Sequence, residues 1–520
     1  MQKKGDTCRY ALYTMTYEKT FLSRTEQDLV NRRYPPLLNA FLSGGAEMFE
    51  RVEKLRAGMR NLAVVSRSSS SSEREVRRGP LVFSKYTMKQ ETGWLLRAIL
   101  SFLLLGRPES FEKLKVIYSW KVLEFDFPNE HTRELAIQEG RFIPGAPIPI
   151  DVDLSFDHRA KHGSVIFISI PRFQNGVPVT LGYITEKVSA EGNPIIAPYP
   201  NWELNRLGNC DAITSVYRMQ VDSCNRLWVL DTGKLEERQI CHPQLLLFDL
   251  RTNRLLSQYK FPKDQFKEDS LFVTLVVDIR DDKCDDAFVY IADVTGFGLL
   301  VYDHRNVRSW RITNNLFYPY PPYGTFYING LTFDLMDGIL GLALSPRKLD
   351  GDRILYFHSL ASKVESWVPT SIIRNHSLFH DHPDSAPRSF RSFPKERSSQ
   401  SAAQAMDRNG ILFFGLLSDT AIGCWNSITH PEYGGIDNEV TVVNPETLQF
   451  SSGVKIIKTK NGRQELWVLT VPFQKYMTGT MNANETNFRI LAGYVDELVR
   501  GTKCNGGFDR NRAYETVASD

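Results

Sequence analysis

Polar and aromatic side chains stand near the starts of short strand-like segments, and their types suit recognition of a small ligand. Asp and Asn offer oxygen acceptors for a cationic group, and Trp and Phe offer aromatic faces for a ring or a cation. Asp and Asn at strand starts also cap turns through local hydrogen bonds, so a structural role stays open for each. The candidates are Asp151, Asp211, Phe326, Asn329, Gln404, Thr420, Trp425 and Asn426.

Histidine is the natural general base near neutral pH, but the ten histidines are scattered among loops and strand ends. His380 and His382 form a close pair in the polar stretch 374–399, which is predicted to be a surface loop, so a metal site there is an open alternative. His358 lies inside ILYFHSL and is expected to be a hydrogen-bonded structural residue. No G-x-S-x-G, H-E-x-x-H or P-loop motif is present. The sequence therefore predicts neither a metal nor a cofactor and leaves catalysis undecided.

A three-segment pattern that occurs six times positions these candidates. In each copy, a strand-like segment precedes an apolar second segment, and a third strand-like segment follows. The first segments are predicted at 148–154, 212–221, 271–279, 327–333, 401–406 and 454–459. The second segments are predicted at 165–172, 226–233, 287–294, 338–345, 410–417 and 465–472.

Six sheets of about four strands, packed radially, form an all-β six-bladed β-propeller. This fold accounts for a chain of 520 residues without a second core, because each blade packs only on its neighbours. The strand-like stretch 114–127 is predicted to complete the last sheet and close the ring. The first segments then become the innermost strands, which line a central channel with a ligand site at one mouth.

Composition excludes several classes of partner. The hydrophobic share of 42% and the charged share of 24% are typical of soluble globular proteins. A net charge of +3 without a basic, aromatic-rich motif argues against nucleic acid. The apolar run 98–105 is far shorter than the ~20 residues that span a bilayer. We expect a monomer without a membrane span.

Six of the seven cysteines fall within the repeated region, and none forms a C-x-x-C pair. This usage predicts disulfides in a secreted protein, with buried free thiols as the alternative. Six cysteines allow about 15 connectivities, so the pairing stays open. Asn375 and Asn484 begin N-glycosylation sequons, which suits an exported chain. The disulfide candidates are Cys210, Cys224, Cys241, Cys284, Cys424 and Cys504.

The two ends of the sequence differ from its centre. Residues 1–87 are rich in Arg, Lys and Ser and are predicted to be a disordered extension or a gene-model artefact. Residues 88–106 have the layout of a secretory signal peptide, with an internal core segment as the alternative. The propeller is predicted at 111–504, and 505–520 is predicted to be a flexible tail.

A family likeness is carried by ordered blocks such as LKVIYSWKVLEFDF, VYRMQVDSCNRLWVLDTG, NGLTFDLMDGILGLALSP and NFRILAGYVDELVRGTKC. From about 114 to 504 the chain resembles the yellow/major royal jelly protein family. The resemblance implies a six-bladed, secreted insect protein. Family members are associated with melanin formation and cuticle pigmentation: some convert dopachrome, some salivary members bind biogenic amines, and royal jelly members are nutritive or structural. Resemblance to the amine-binding members points to 421–426 as pocket lining.

These observations favour an extracellular protein of melanin or cuticle chemistry that binds small aromatic amines or catechols in its channel. A dopachrome-converting tautomerase or decarboxylase is the first alternative, and a structural or nutritive secreted protein is the second. A calcium-dependent lactonase would instead need an oxygen cage, with Asp151, Asp211, Asn329 and Asn426 as the available ligands.

Overall fold

A computed structural model describes residues 113–156, 163–280 and 283–506 of the chain. The extension at 1–87, the signal-peptide layout at 88–106 and Cys8 lie outside the described residues, as does the tail beyond 506. In the described part of the chain, every helix is too short or too polar to cross a bilayer.

The described strands form six sheets of four or five strands around a common centre. Blade 1 contains Asp151–Ser155, Val165–Ser169, Leu181–Val188 and Pro194–Pro198, with Glu124–Phe125 added in parallel. Blade 2 contains Val216–Val221, Arg226–Asp231, Gln244–Asp249 and Arg254–Lys260. Blade 3 contains Phe272–Arg280, Lys283–Asp293, Gly298–Asp303 and Arg308–Ile312. Blade 4 contains Ile339–Leu344, Ile354–Ser359, Val364–Pro369 and Arg391–Glu396. Blade 5 contains Gln404–Met406, Ile411–Leu416, Ala421–Asn426 and Glu439–Val443. Blade 6 contains Ser451–Lys458, Gln464–Thr470, Phe488–Tyr494 and Lys115–Trp120.

Smaller elements connect or cover the blades. The two-stranded hairpins are Lys234–Leu235 with Arg238–Gln239, and Thr325–Ile328 with Leu331–Asp334. The α-helices are Glu130–Gln138, Thr370–Ile373, His376–Phe379, Phe473–Met477 and Val495–Leu498. The 3-10 turns are Lys263–Gln265, Asn315–Phe317, Pro321–Tyr323, Pro387–Ser389 and Gly435–Asp437.

The first strand of each blade is the innermost one, because it contacts the first strands of both neighbouring blades in a closed ring. These six strands surround the central channel. The prediction of an all-β six-bladed propeller is confirmed, and apolar clusters between adjacent sheets provide the core. The ring of blades also explains how a long chain folds without one oversized core, since each sheet is buried by its neighbours.

Strands from both ends of the described chain share the sheet of blade 6. Lys115–Trp120 pairs antiparallel with Phe488–Tyr494. The Trp120 indole is buried and donates to the carbonyl oxygen of Pro194 at 2.7 Å, which also ties this strand to blade 1.

Aspartates close many turns between strands by accepting hydrogen bonds from nearby backbone N–H groups. The Asp222 carboxylate accepts from Cys224 at 2.9 Å and from Arg226 at 3.0 Å. Asp249 and Asp303 accept in the same way from N–H groups two and three residues further along the chain. This repeated turn chemistry is the physical basis of the Asp and Asn punctuation seen in the sequence.

Blade 4 differs from the sequence-based expectation by one strand. Residues 327–333 were expected to be its innermost strand, but the innermost strand is Ile339–Leu344. Residues 327–333 belong instead to a separate hairpin, Thr325–Ile328 with Leu331–Asp334, here called the lid hairpin. Its turn is Asn329–Gly330, with φ of +47° and +82°. This two-residue Asn-Gly turn is the strongest short hairpin signal in a sequence.

The stretch 374–399 is not a simple surface loop. It contains the helix His376–Phe379 and the outer strand of blade 4, Arg391–Glu396. Among the described residues, no group of three or more His, Cys, Asp or Glu side chains is arranged to hold a metal. His380 stacks on His376 at 4.5 Å and is exposed. Asn375 and Asn484, the two sequon asparagines, are also exposed.

The six candidate cysteines form three disulfides, as predicted, and the structure supplies their pairing. The bonds are Cys210–Cys241, Cys224–Cys284 and Cys424–Cys504. Cys224 lies in a turn of blade 2 and Cys284 in the second strand of blade 3, so this bond joins neighbouring blades. Cys424–Cys504 ties blade 5 to the segment that follows the last strand.

Removing the inter-blade bond tests how much it stabilises the ring. The Cys224→Ser/Cys284→Ser double variant is expected to lose about 2–4 kcal/mol, because the bond restricts a long loop of the unfolded chain. Neither cysteine is fully buried, so serine adds little desolvation cost. Urea unfolding of the oxidised protein and the variant measures the difference; equal midpoints would contradict the expectation.

Candidate functional site

One end of the channel, where the innermost strands begin, is closed by aromatic side chains. Tyr217 and Leu340 are the second residues of their innermost strands, and Phe450 precedes another; all three belong to one apolar cluster. The lid hairpin contributes Phe333 to this cluster, and the helix Phe473–Met477, here called the lid helix, packs against the hairpin. We call this region the aromatic end of the channel.

The rings at the aromatic end contact one another edge to face or tilted. Phe173 lies 5.4 Å from Tyr217 and 5.9 Å from Tyr476, measured between ring centroids. Phe473 of the lid helix lies 5.6 Å from Tyr476 and 6.1 Å from Phe333. Phe173, Phe473 and Tyr476 are only partly buried. These three side chains therefore keep part of their surface accessible to solvent at this end of the channel.

Asp337 is a carboxylate without a partner at the same end. Burial raises its pKa from 3.8 to about 6, and among the described residues no hydrogen bond or opposite charge counteracts that effect. Burial also raises the pKa of the Tyr217 hydroxyl, and the nearby charges of Asp337 and Tyr476 raise it further. A buried carboxyl group with a raised pKa that also influences a neighbouring tyrosine marks a candidate functional site.

The backbone around Asp337 is tightly held. The residue directly precedes the glycine at the start of the innermost strand of blade 4, and its carbonyl oxygen accepts the N–H of Ala361 at 3.1 Å. The N–H of Gly338 donates to the carbonyl oxygen of Val294 at 3.0 Å. A Cβ on Gly338 would lie 2.5 Å from the carbonyl oxygen of Phe317. Only glycine fits here, so blades 3 and 4 together fix the position of Asp337.

Beyond the aromatic end, the channel contains a cavity of about 650 Å³ that extends along the innermost strands toward the end where they finish. We call it the polar chamber and define it by five side chains on five blades. They are Asp153, Arg218, Thr274, Gln404 and Lys455.

Charged side chains in the channel complete the backbone hydrogen bonding of the innermost strands, whose inner edges have no strand partner. Asp151 accepts the N–H of Met219 at 3.2 Å, and Asp153 accepts that of Val221 at 2.8 Å. Lys455 donates to the carbonyl oxygen of Met219 at 2.7 Å and pairs with Asp151 at 2.9 Å. Burial raises the pKa of Asp153 to about 6, although the charge of Lys455 opposes this.

Three of the predicted site residues lie at the channel or next to it. Asp151 and Gln404 each begin an innermost strand, as expected, and both are buried. The Gln404 amide donates to Glu365 at 2.9 Å. Phe326 is fully buried in the lid hairpin, where it stacks on Phe333 at 5.1 Å.

Asp211 and Asn329 lie elsewhere, contrary to the expectation that they stand at innermost-strand starts. Asp211 is exposed at the rim of blade 2, where it pairs with Lys260 at 2.9 Å. Asn329 is exposed at the tip of the lid hairpin and donates to the carbonyl oxygen of Pro445 at 2.6 Å. Both positions follow from strand boundaries that sequence patterning placed too early.

Thr420, Trp425 and Asn426 belong to the third strand of blade 5 or to the turn before it. Thr420 has φ of +47° in that turn. Trp425 packs 5.2 Å from Tyr433 in the core between blades 4 and 5. Asn426 is buried and donates to the carbonyl oxygen of Cys504 at 3.0 Å. The proposed calcium cage is not assembled, because its four residues lie in four separate places.

Sequence reasoning missed Asp337, Tyr217 and Tyr476. The signal for Asp337 was present: it is the polar residue just before GILGLAL, which is the innermost strand of blade 4 once that blade is read correctly. The charged residues inside the apolar strands DVDLS, VYRMQV and SSGVKIIK likewise marked the channel.

Comparison with known proteins gives consistent matches. The sequence profile described as "Major royal jelly protein" matches residues 214–504. Dopaminechrome tautomerase of Drosophila melanogaster is 35% identical over 408 residues, covering 76% of this chain and 85% of that protein. Protein yellow of Drosophila yakuba is 34% identical over 440 residues, covering 82% and 76%. Major royal jelly protein 9 of Apis mellifera is 35% identical over 401 residues, covering 75% and 90%.

Proposed function

Since the chain belongs to the yellow/major royal jelly protein family, we propose that it is an extracellular protein of melanin or cuticle chemistry. In this proposal the aromatic end of its channel binds a small catechol-derived ring or aromatic amine. The observation that carries the proposal is the unpaired Asp337 carboxylate among aromatic side chains. An ammonium group finds its counter-charge in Asp337, and the ring finds flat partners in Phe173, Phe473 and Tyr476.

The same arrangement supports proton transfer on the bound ring. Conversion of an aminochrome to a dihydroxyindole is an isomerisation, in which two ring carbons each lose one proton and the two quinone oxygens each gain one. Asp337 as carboxylate accepts a carbon-bound proton, and its pKa of about 6 suits a base working near neutral pH. The Tyr217 and Tyr476 hydroxyls donate hydrogen bonds to the oxygen on which negative charge develops. The dopaminechrome tautomerase among the relatives supports this choice of reaction.

The extracellular location rests on the three disulfides, which persist in oxidising compartments. Exposure of Asn375 and Asn484 is compatible with glycosylation of an exported chain. Mass spectrometry of the protein purified from its native tissue, before and after removal of N-linked glycans, tests this part of the proposal separately from the chemistry.

The test of function is a titration of the purified protein with dopaminechrome and, separately, with dopamine. We expect dopaminechrome colour to disappear faster than in buffer, with 5,6-dihydroxyindole as the product. Absorbance follows the conversion, and calorimetry follows the binding of dopamine, which cannot tautomerise.

Each outcome has a distinct meaning. Saturable dopamine binding without loss of dopaminechrome colour keeps the aromatic end as a binding site and removes the tautomerase. If the protein shows no dopamine binding and no dopaminechrome conversion, both parts of the proposal are overturned, and a structural or nutritive protein is favoured. A heat-treated sample is the control for uncatalysed rearrangement.

A further inference from the structure

The polar chamber contains three buried side chains with unpaired polar atoms, each from a different blade. Arg218, Thr274 and Gln404 are each only 5% exposed. Among the described residues, the Arg218 Nε, the Thr274 hydroxyl and the Gln404 amide oxygen have no hydrogen-bond partner. A buried polar atom left unpaired destabilises the folded protein, so each of these atoms calls for a partner. Three of them around one cavity of about 650 Å³ indicate a built site.

Arg218 provides a positive charge in this site that is not held by an ion pair among the described residues. Its guanidinium donates to the carbonyl oxygen of Ser452 at 2.6 Å, and among the described residues no carboxylate lies within ion-pair distance. Two carboxylates lie nearby, and the charge of Asp151 opposes the lowering of the Arg218 pKa by burial. Asp151 pairs with Lys455 at 2.9 Å, and Asp153 accepts backbone N–H groups with both oxygens. An anion is therefore the matching partner for the free guanidinium face.

The other two atoms call for hydroxyl groups. The Gln404 amide nitrogen is already held by Glu365, and among the described residues its buried oxygen is an acceptor without a donor. The Thr274 hydroxyl can donate or accept. A ligand that satisfies all three atoms has a carboxylate at one end and hydroxyl groups along its length.

We propose that the polar chamber is a second ligand site, which takes a small hydroxylated carboxylic acid with its carboxylate on Arg218 and its hydroxyls on Thr274 and Gln404. The volume is within the usual range for a small-molecule site of about 300–1,000 Å³. This site lies in the channel beyond the aromatic end, uses none of the residues of the function proposed above and is independent of it.

The test uses calorimetry of the full protein with three probes: D-gluconate, D-sorbitol and acetate. Sorbitol has the gluconate skeleton without the carboxylate, and acetate has the carboxylate without the hydroxyls. Gluconate is expected to bind about ten- to a hundredfold more tightly than sorbitol, the range expected for charged hydrogen bonds. Equal affinity for gluconate and sorbitol, or no gluconate binding at millimolar concentration, would overturn the proposal.

Thr274→Val is the diagnostic variant, because it keeps the shape of the side chain and removes a hydroxyl that has no partner among the described residues. We expect it to fold normally, to weaken gluconate binding about three- to tenfold, and to leave dopaminechrome conversion unchanged. Unchanged gluconate affinity in this variant would contradict the proposed site.

Arg218→Met is expected to abolish the preference for gluconate over sorbitol. If the Arg218→Met variant fails to fold, the Thr274→Val result alone decides.

Discussion

Replacing Asp337 with asparagine is expected to lower kcat/KM for dopaminechrome by about 10²–10⁴-fold, the usual contribution of a positioned general base. The substitution keeps the size and shape of the side chain and removes its ability to accept a proton. Absorbance assays of wild type and variant at one pH measure the effect. A loss of less than threefold would remove Asp337 from the chemistry.

The pH dependence of kcat/KM is a second test of the role of the Asp337 carboxyl group. The active form is the carboxylate, so wild-type kcat/KM is expected to fall as the pH drops through about 6. The residual activity of Asp337→Asn is expected to lack that step. Asp211→Asn is the matched control, since Asp211 is an exposed carboxylate paired with Lys260 at the rim. This control should keep both the wild-type rate and the wild-type pH profile.

The Asp337→Asn substitution is expected to raise the stability of the folded protein at neutral pH while it lowers activity. The folded protein holds the Asp337 proton more tightly than the unfolded chain, because burial raises the pKa from 3.8 to about 6. Wild type therefore loses stability as the pH rises from about 4 to about 6, and Asp337→Asn avoids this loss. We expect a higher melting temperature for the variant at neutral pH and equal melting temperatures below pH about 4. Functional residues commonly trade stability for activity in this way.

The architecture was predictable because the repeated pattern reflects a physical constraint. Every blade needs an inner strand, an apolar second strand and a third strand, with Asp, Asn or Gly to turn between them. The prediction of the innermost strand of blade 4 was wrong, because NGLTFD was assigned to that strand although it forms the turn and second strand of an Asn-Gly hairpin. That one-strand error moved attention from Asp337 to Asn329, so a mistake in strand order became a mistake in the site.

The remaining features depend on distances that sequence patterning does not contain. The disulfide Cys424–Cys504 joins residues 80 positions apart, and blade packing alone decides that pairing. Likewise, Trp425 has the chemistry of a ligand-stacking residue but lies in the core between blades. Only the relative rotation of adjacent sheets distinguishes a channel-facing aromatic residue from one that packs against the next blade.

A buried ionic network between blades 4 and 5 is the basis of a second prediction, which concerns the stability of the propeller. Arg397 donates to Glu365 at 2.7 Å and to the Tyr433 hydroxyl at 3.2 Å, and Glu365 also contacts His358 at 2.9 Å. The Arg397 and Glu365 side chains are fully buried. Burial and the Arg397 charge lower the pKa of His358, although Glu365 opposes them. Arg397 thus supplies the counter-charge that lets the Glu365 carboxylate stay buried.

Arg397→Met is expected to destabilise the propeller by about 3–5 kcal/mol, because it leaves a buried carboxylate without its cation. Urea unfolding followed by tryptophan fluorescence measures the change, and Trp425 lies 5.2 Å from Tyr433 and so reports on this interface. Lys187→Met is the surface control: Lys187 pairs with Asp126 at 2.8 Å in an exposed position, and its loss should cost about 0–1 kcal/mol.

Adding Glu365→Gln to Arg397→Met separates loss of packing from loss of charge balance. If the uncompensated carboxylate causes the destabilisation, the double variant should recover part of the lost stability, since no buried charge remains on either partner. If the double variant is as unstable as the sum of the two single variants, the two residues act independently and the network account is wrong. Recovery would also explain why blades 4 and 5 keep a charged pair where apolar packing would suffice: Glu365 holds Gln404 at 2.9 Å, and Gln404 in turn faces the polar chamber.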